Sequence, residues 1–239
     1  MKLGFLGVGT IATAVVKGVA DHGHQILLSE RNALKAKQLS ERYDNVSIAP
    51  NQAVIDVSDV IFIGLMPDVA EAILPDLQFK SGQIIISFIA DLTLEQIAAM
   101  VAPAEAKALM LPYPNIADGN SIIPFIGDRA VIESLFAAKN HLTMLQNQDE
   151  MNALLRAQAV LSPVAKLVQD AANWLDDKGV ETERGERFLR ILIASNLFQI
   201  PSDTLLEALN TEGGYNQRLR LHMEKSGISE MLKTGLDEL

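Results

Sequence analysis

The stretch "GFLGVGTIATAVV", residues 4–16, decides the fold. A short β-type run, Lys2–Leu6, leads into three small residues at fixed spacing, Gly7, Gly9 and Ala12, and a helical periodicity over Ile11–Ala20 follows. Strand, then G-x-G-x-x-A, then helix is the pattern of a dinucleotide-binding turn. Gly7 permits the tight turn, Gly9 lets a pyrophosphate approach the backbone, and Ala12 lets the helix pack close to the strand. The amides of Thr10, Ile11 and Ala12 then point from a helix amino end at the phosphates. The competing reading is the apolar middle of an export signal behind Met1-Lys2. Against it stand three glycines in the run, the interruption at Lys17, and the lack of a small-x-small cleavage site before Asp21-His22-Gly23.

The chain around this motif has 239 residues, 49% of them apolar and 21% charged, which is an ordinary globular composition with room for two small domains. A net charge of −10 disfavours a nucleic-acid backbone or an anionic membrane surface as partner. The absence of cysteine excludes disulfides and thiolate metal sites and fits a reducing cytoplasm. No apolar stretch reaches the ~20 residues needed to cross a bilayer.

Two textures divide the chain. Up to about residue 148, β-rich runs at 2–6, 25–29, 46–48, 60–65, 83–87, 107–111 and 121–126 alternate with helical periodicities at 11–20, 33–43, 51–57, 69–74, 94–101 and 130–139. Such alternation predicts a parallel sheet with helices on both faces. "VIFIGL" is apolar at every position but the glycine, as a central strand covered on both sides requires. From residue 149 to 239 only helical patterns remain: 151–175, 186–196, 204–209, 215–226 and 228–236. The expectation is therefore a dinucleotide-binding α/β domain, 1–148, followed by an all-helical domain, 149–239. So small a helical domain, with apolar faces to spare, predicts that a second copy completes its core.

Several residues are placed by this pattern over a cofactor crevice. The second strand ends "LLSERN". Glu30 lies where an acidic group would hold the adenosine ribose of NAD, while Ser29 and Arg31 flank it and an arginine there can receive the 2′-phosphate of NADP. NADH and NADPH both stay open, with NADPH slightly favoured. Leu65, Met66 and Pro67, after the fourth strand, and Ile89 in "SFIAD", after the fifth, are candidate walls on the nicotinamide side. Asn51 is either a cofactor contact or a capping residue behind Pro50. His22, His24, His141 and His222 lack paired metal-ligand spacing, so no metal site is expected. Asp176-Asp177 diverge on a helix end and make a poor acid–base pair. Trp174 reads as core or interface.

With these segments in view the chain resembles the pyrroline-5-carboxylate reductase family. "GFLGVGTIATAVVKGV", "SDVIFIGLMPDV" and "IISFIADLTLEQI" look like that family's opening, fourth-strand and fifth-strand segments. "LNTEGGYNQRLRLHMEKSGISEML" (209–232) looks like its substrate-loop segment of the type S-P-G-G-T-T, followed by a helix, a glycine and a final helix. The resemblance implies a Rossmann-type domain followed by a helical dimerisation domain. It further implies hydride transfer from NAD(P)H to a small-molecule cyclic imine, giving proline or an analogue, by a cytoplasmic homodimer held through its C-terminal helices. Thr211, Gly213, Gly214, Tyr215 and Asn216 would face the substrate. The departures fall there: Glu212 replaces the proline and Asn216 a threonine, and of the S-G-x-G-P-A-Y motif that opens the helical domain only Ser162-Pro163 remains. Three readings stay open: reduction of pyrroline-5-carboxylate, reduction of another small imine or carbonyl, and a dinucleotide-binding sensor that has lost catalysis. A turn in which Gly213 caps the preceding helix is the plain structural alternative for "TEGGYN".

Overall fold

A computed structural model describes residues 1–239. The chain divides into two compact units, Met1–Asn152 and Ala153–Leu239.

The first unit is built on one eight-stranded sheet. Its strands are β1 (Lys2–Leu6), β2 (Gln25–Ser29), β3 (Val46–Ala49), β4 (Val60–Ile63), β5 (Ile84–Ser87), β6 (Glu105–Met110), β7 (Ile122–Gly127) and β8 (His141–Met144). They lie in the order β3-β2-β1-β4-β5-β6-β7-β8. The helices between them are α1 (Thr10–Val19), α2 (Ala33–Arg42), α3 (Asn51–Val57), α4 (Pro67–Ile73), α5 (Leu94–Val101) and α6 (Arg129–Phe136). The order reverses on either side of β1, between β1→β2 and the crossover to β4, and that reversal opens a crevice at the carboxyl ends of the strands.

Period-two alternation sorts the core. In β4, Val60 and Phe62 enter the core on one face of the sheet, and Ile61 and Ile63 enter the core on the other. Phe5 and Phe62 are register partners on neighbouring strands, and their rings stack at 4.6 Å. Such a pair locks the β1–β4 register, because a one-residue slip would turn every apolar side chain to the wrong face.

Two features of the sheet differ from the sequence expectation. The sheet is not wholly parallel: β7 runs antiparallel to β6, and β8 then pairs parallel with β7. Between β6 and β7 lies only a single short helical turn, Pro114–Ala117, and so short a connection cannot carry the chain back for a parallel pairing. The strand β8 has no counterpart among the predicted runs. It is a four-residue edge strand, "HLTM", half-exposed throughout, and carries too little apolar alternation to be read.

The second unit is wholly helical. It contains α8 (Leu161–Asp176), α9 (Thr182–Gln199), α10 (Ser202–Ala208), α11 (Tyr215–Lys225) and α12 (Ile228–Asp237); α7 (Gln148–Ala157) runs across the division of the chain. The single helix predicted over 151–175 is interrupted by a tighter turn at Gln158–Val160. Pro163 accounts for it: the imino acid cannot donate to the carbonyl four residues earlier, and its ring crowds the turn before it. The long helices α8 and α9 cross at Ala172 and Gly185, where a side chain on the glycine would meet Leu175 at 3.0 Å.

Ala172 and Gly185 are the only fully buried residues of this unit. Leu161, Ile191 and Leu197 stand largely exposed along a groove of about 850 Å³ on α8 and α9, and Met231 and Leu232 along one of about 510 Å³ on α8 and α12. Trp174 is 60% exposed, with the Lys178 ammonium over its ring.

Candidate functional site

The turn from β1 into α1 is held open by its own backbone and by β2. Gly7 sits at φ +90, and a side chain there would meet the Gly64 carbonyl oxygen at 2.5 Å, so only glycine fits. Its amide donates to Ser29 Oγ at 2.8 Å. Ser29 is buried, and its hydroxyl therefore fixes the turn from below instead of projecting toward a ligand. Gly9 caps α1 in extended conformation with no side chain to accept from the first-turn amides. The first bond of the helix is Thr13 N–H to the Gly9 carbonyl, at 3.0 Å. The amides of Thr10, Ile11 and Ala12 thus lack intrahelical acceptors and, with the helix dipole, favour an anion. A side chain built on Gly9 would meet nothing within 4 Å. The same space is what a pyrophosphate needs, so the turn fits a dinucleotide. Ala12 is buried and stands 3.3 Å from where a side chain on Gly64 would begin, which brings α1 down onto the end of β4.

A cation unforeseen from the sequence completes this turn. Lys35 Nζ donates to Thr10 Oγ1 at 2.9 Å. The Asn32 side chain caps α2 by accepting from the Lys35 amide, which fixes the residue's place in the first turn. Lys35 reaches the turn from α2, so no spacing within the motif announces it.

Beside the turn lies a groove of about 630 Å³ lined by Glu30, Arg31, Asn51, Asp68, Val69 and Ile73. Glu30 and Arg31, which conflict as cofactor signals, both face it, and so does Asp68, a second carboxylate that the sequence reading missed. Asn51 is the first residue of α3, with Pro50 in the capping position, so its side chain lines the groove and makes no cap. Beyond β4, Leu65 packs on the core, Met66 is exposed as the cap residue of α4, and Pro67 is that helix's first residue. Ile89 is 3% exposed and belongs to the core, with its amide donating to Ser87 Oγ. It supports the end of β5 and offers little surface to a ligand. Beyond the carboxyl end of β6, burial raises the Tyr113 phenol above its ordinary value.

In the helical unit, α10 ends at Ala208, capped by Leu209. Gly213 lies four residues further on, at φ +69, and therefore does not cap that helix. The Gly214 amide donates to the Thr211 carbonyl at 2.9 Å, closing the turn from which α11 starts. Thr211, Glu212, Tyr215 and Asn216 are all exposed around it. No group of three or more His, Asp or Glu side chains is placed to hold a metal ion, and no helix is long and apolar enough to cross a membrane.

Comparison with known proteins extends this picture. The family described as NADP oxidoreductase, coenzyme F420-dependent, matches residues 2–91. Pyrroline-5-carboxylate reductase 2 of Bacillus subtilis is 26% identical over 145 residues, 58% of this chain and 52% of that protein. The match thus spans about half the length of that relative. Among solved structures, 1-pyrroline-5-carboxylate reductase from Streptococcus pyogenes superposes with a TM-score of 0.82 at 20% identity, covering 100% of this chain and 96% of that one. Plasmodium falciparum pyrroline carboxylate reductase, solved with NADP bound, gives 0.79 at 15% identity, covering 100% and 95%. An imine reductase from Pseudomonas gives 0.66 at 16% identity, covering 99% and 87%. The chain has the fold of the pyrroline-5-carboxylate reductases, and the resemblance read from its motifs stands.

Proposed function

We propose that the protein is an NADPH-dependent reductase of a carbon–nitrogen double bond, acting on 1-pyrroline-5-carboxylate or a close cyclic imine. The observation that carries this reading is the Gly9 turn: open space above it, unpaired amides at the head of α1, and Lys35 on Thr10. The first-turn amides would hold the pyrophosphate. Glu30 would accept from the adenosine ribose, and Arg31 and Lys35 would face a 2′-phosphate, which favours NADPH over NADH. NADP in the Plasmodium structure supports the same choice.

When bound, the cofactor supplies a hydride to the imine carbon; the nitrogen keeps its proton and becomes an amine. A protonated imine is already electrophilic, so the protein's part is positioning and exclusion of water. Leu65, Met66 and Pro67 would wall the nicotinamide. The Thr211 hydroxyl, the Asn216 side chain and the Tyr215 amide would hydrogen-bond the substrate's carboxylate or nitrogen, while the amides of Gly213 and Gly214 are taken up by Gln217 and the Thr211 carbonyl.

The reading includes a homodimer through the helical unit. With only Ala172 and Gly185 fully buried, that unit has no core of its own to offset the chain entropy lost on ordering it. A second copy laid along its apolar grooves would supply one.

Loss of the nicotinamide absorbance on adding 1-pyrroline-5-carboxylate tests the activity, run with NADPH and NADH in parallel. Turnover with a preference for NADPH is expected. Tight cofactor binding without turnover of any cyclic imine would favour a sensor, a role that the exposed Glu212 in the altered loop would suit.

A further inference from the structure

We propose that Gln217, backed by Arg220, is a positioning residue that presets the loop Asn210–Gly214 for substrate. This rests on the reading of Thr211–Asn216 as substrate-facing.

The argument starts from the way α11 begins. Its cap residue is Gly214, which has no side chain to offer the first turn. In the usual capping box, a Glu or Gln at the third helical position reaches back to the amide of the cap residue. Gln217 holds that third position, but the Gly214 amide already donates to the Thr211 carbonyl. Gln217 reaches one residue further instead, and its Oε1 accepts from the Gly213 amide at 2.9 Å. Its Nε2 turns back to the other end of the loop, donating to the Asn210 carbonyl at 3.4 Å and to Asn210 Oδ1 at 3.3 Å. A single side-chain amide thus ties both ends of the loop to the helix that follows it.

Arg220 adds a second tie one turn on. Its Nη2 donates to Asn210 Oδ1 at 2.7 Å, while Nη1 is held by Glu224 Oε1 at 2.7 Å. The guanidinium is therefore paired and aligned on Asn210, which makes it a fastener and no free cation for a substrate carboxylate.

The groups that hold the loop are separate from those that would meet a substrate. The Thr211 hydroxyl and the side chains of Tyr215 and Asn216 take no part in the clamp. An exposed five-residue segment with two glycines, one at φ +69, samples many conformations when untethered. Fixing it before substrate arrives removes that ordering cost from binding and leaves the hydride step itself untouched. A defect in the clamp should therefore appear in KM and spare kcat.

The full-length protein carries the test. Gln217→Ala should raise KM for 1-pyrroline-5-carboxylate about tenfold, the scale of one lost hydrogen bond with its partner left unpaired. It should leave kcat within about twofold, because the chemistry is the cofactor's. NADPH affinity should not change. Exchange of the Gly213 amide, followed by NMR in the free protein, should speed up by a similar factor. Gln217→Glu keeps an oxygen for Gly213 and should restore its protection and part of the KM. An unchanged KM, or KM, kcat and unfolding temperature all worsening together, would overturn the proposal. A wild-type protein that reduces no cyclic imine would overturn the reading of the loop itself, a result distinct from a KM that ignores Gln217.

Discussion

In the sheet unit, all four residues of β4, Val60 to Ile63, are buried, and the same holds for four of the five residues of β1. In the helical unit only Ala172 and Gly185 reach that state, although α8 and α9 are the two longest helices of the chain. The helical unit is the poorer of the two in apolar residues, but the larger difference is geometric. A sheet covered by helices on both faces closes its core within one chain, whereas a few helices offer stripes that need another surface. The first unit closes its core within itself, and the second leaves apolar faces exposed, which the proposed homodimer would cover.

The largest effect expected from this contrast is at Ile191, which lines the α8–α9 groove. Ile191→Asp places a charge where the second copy would pack, at a cost of several kcal/mol per uncompensated ion. It should yield monomers by sedimentation, with loss of helical circular dichroism from the second unit and NADPH binding retained by the first. An unchanged dimer would show that this face is not the interface.

The two glycines of the phosphate turn sharpen the contrast inside the first unit. Gly7→Ala should cost about 2–4 kcal/mol of unfolding free energy, from positive φ together with the clash on Gly64. Gly9→Val should leave thermal stability near wild type, since nothing lies within 4 Å of the added carbon. It should weaken NADPH binding about a hundredfold by filling the pyrophosphate space. Calorimetry measures both. Equal losses of stability in the two variants would remove the distinction between a turn-forming and a ligand-admitting glycine.

A smaller change is expected at Lys35. Lys35→Ala should raise the Kd for NADPH about tenfold, the scale of one charge-assisted hydrogen bond, and leave NADH nearly unaffected. Equal weakening of both cofactors would place Lys35 on the pyrophosphate instead of the 2′-phosphate.

The smallest effect concerns pH. His24 Nδ1 is buried without a hydrogen-bond partner. Burial first, then the positive charge of the amino terminus and of His22, lowers its pKa from 6.5. The unfolded chain then binds the extra proton more readily than the folded one. Stability from this group is complete above pH 6.5 and is lost as the pH falls through 6.5 toward the folded value. His24→Gln should flatten denaturation midpoints across that window; an identical slope in the variant would assign it to other groups.

The same contrast explains what could be read from the sequence. The strand–turn–helix of residues 2–19 carries its own punctuation, because Gly7 is required by local backbone geometry, Gly9 leaves the space above the turn open, and their spacing survives without tertiary knowledge. β8 and the reversal at β7 depend on what the sheet edge already contains, and "HLTM" has no alternation to announce it. The break before Pro163 was visible in principle, since an imino acid inside a helical period always marks one. In the site, Glu30, Arg31 and Asn51 were legible as residues at a strand end or a helix start. Lys35 and Asp68 were not, because each reaches its place from a neighbouring helix. Ser29 ends β2 and Ile89 follows β5, and both side chains are turned into the interior.

The measurement that bears most directly on the function is label transfer from NADPH carrying deuterium at nicotinamide C4, with mass spectrometry of the product from 1-pyrroline-5-carboxylate. A reductase built as described delivers one deuterium to the former imine carbon. Saturable NADPH binding with an unlabelled, unreduced imine would contradict it, and would leave a chain with the reductase fold but without the reaction.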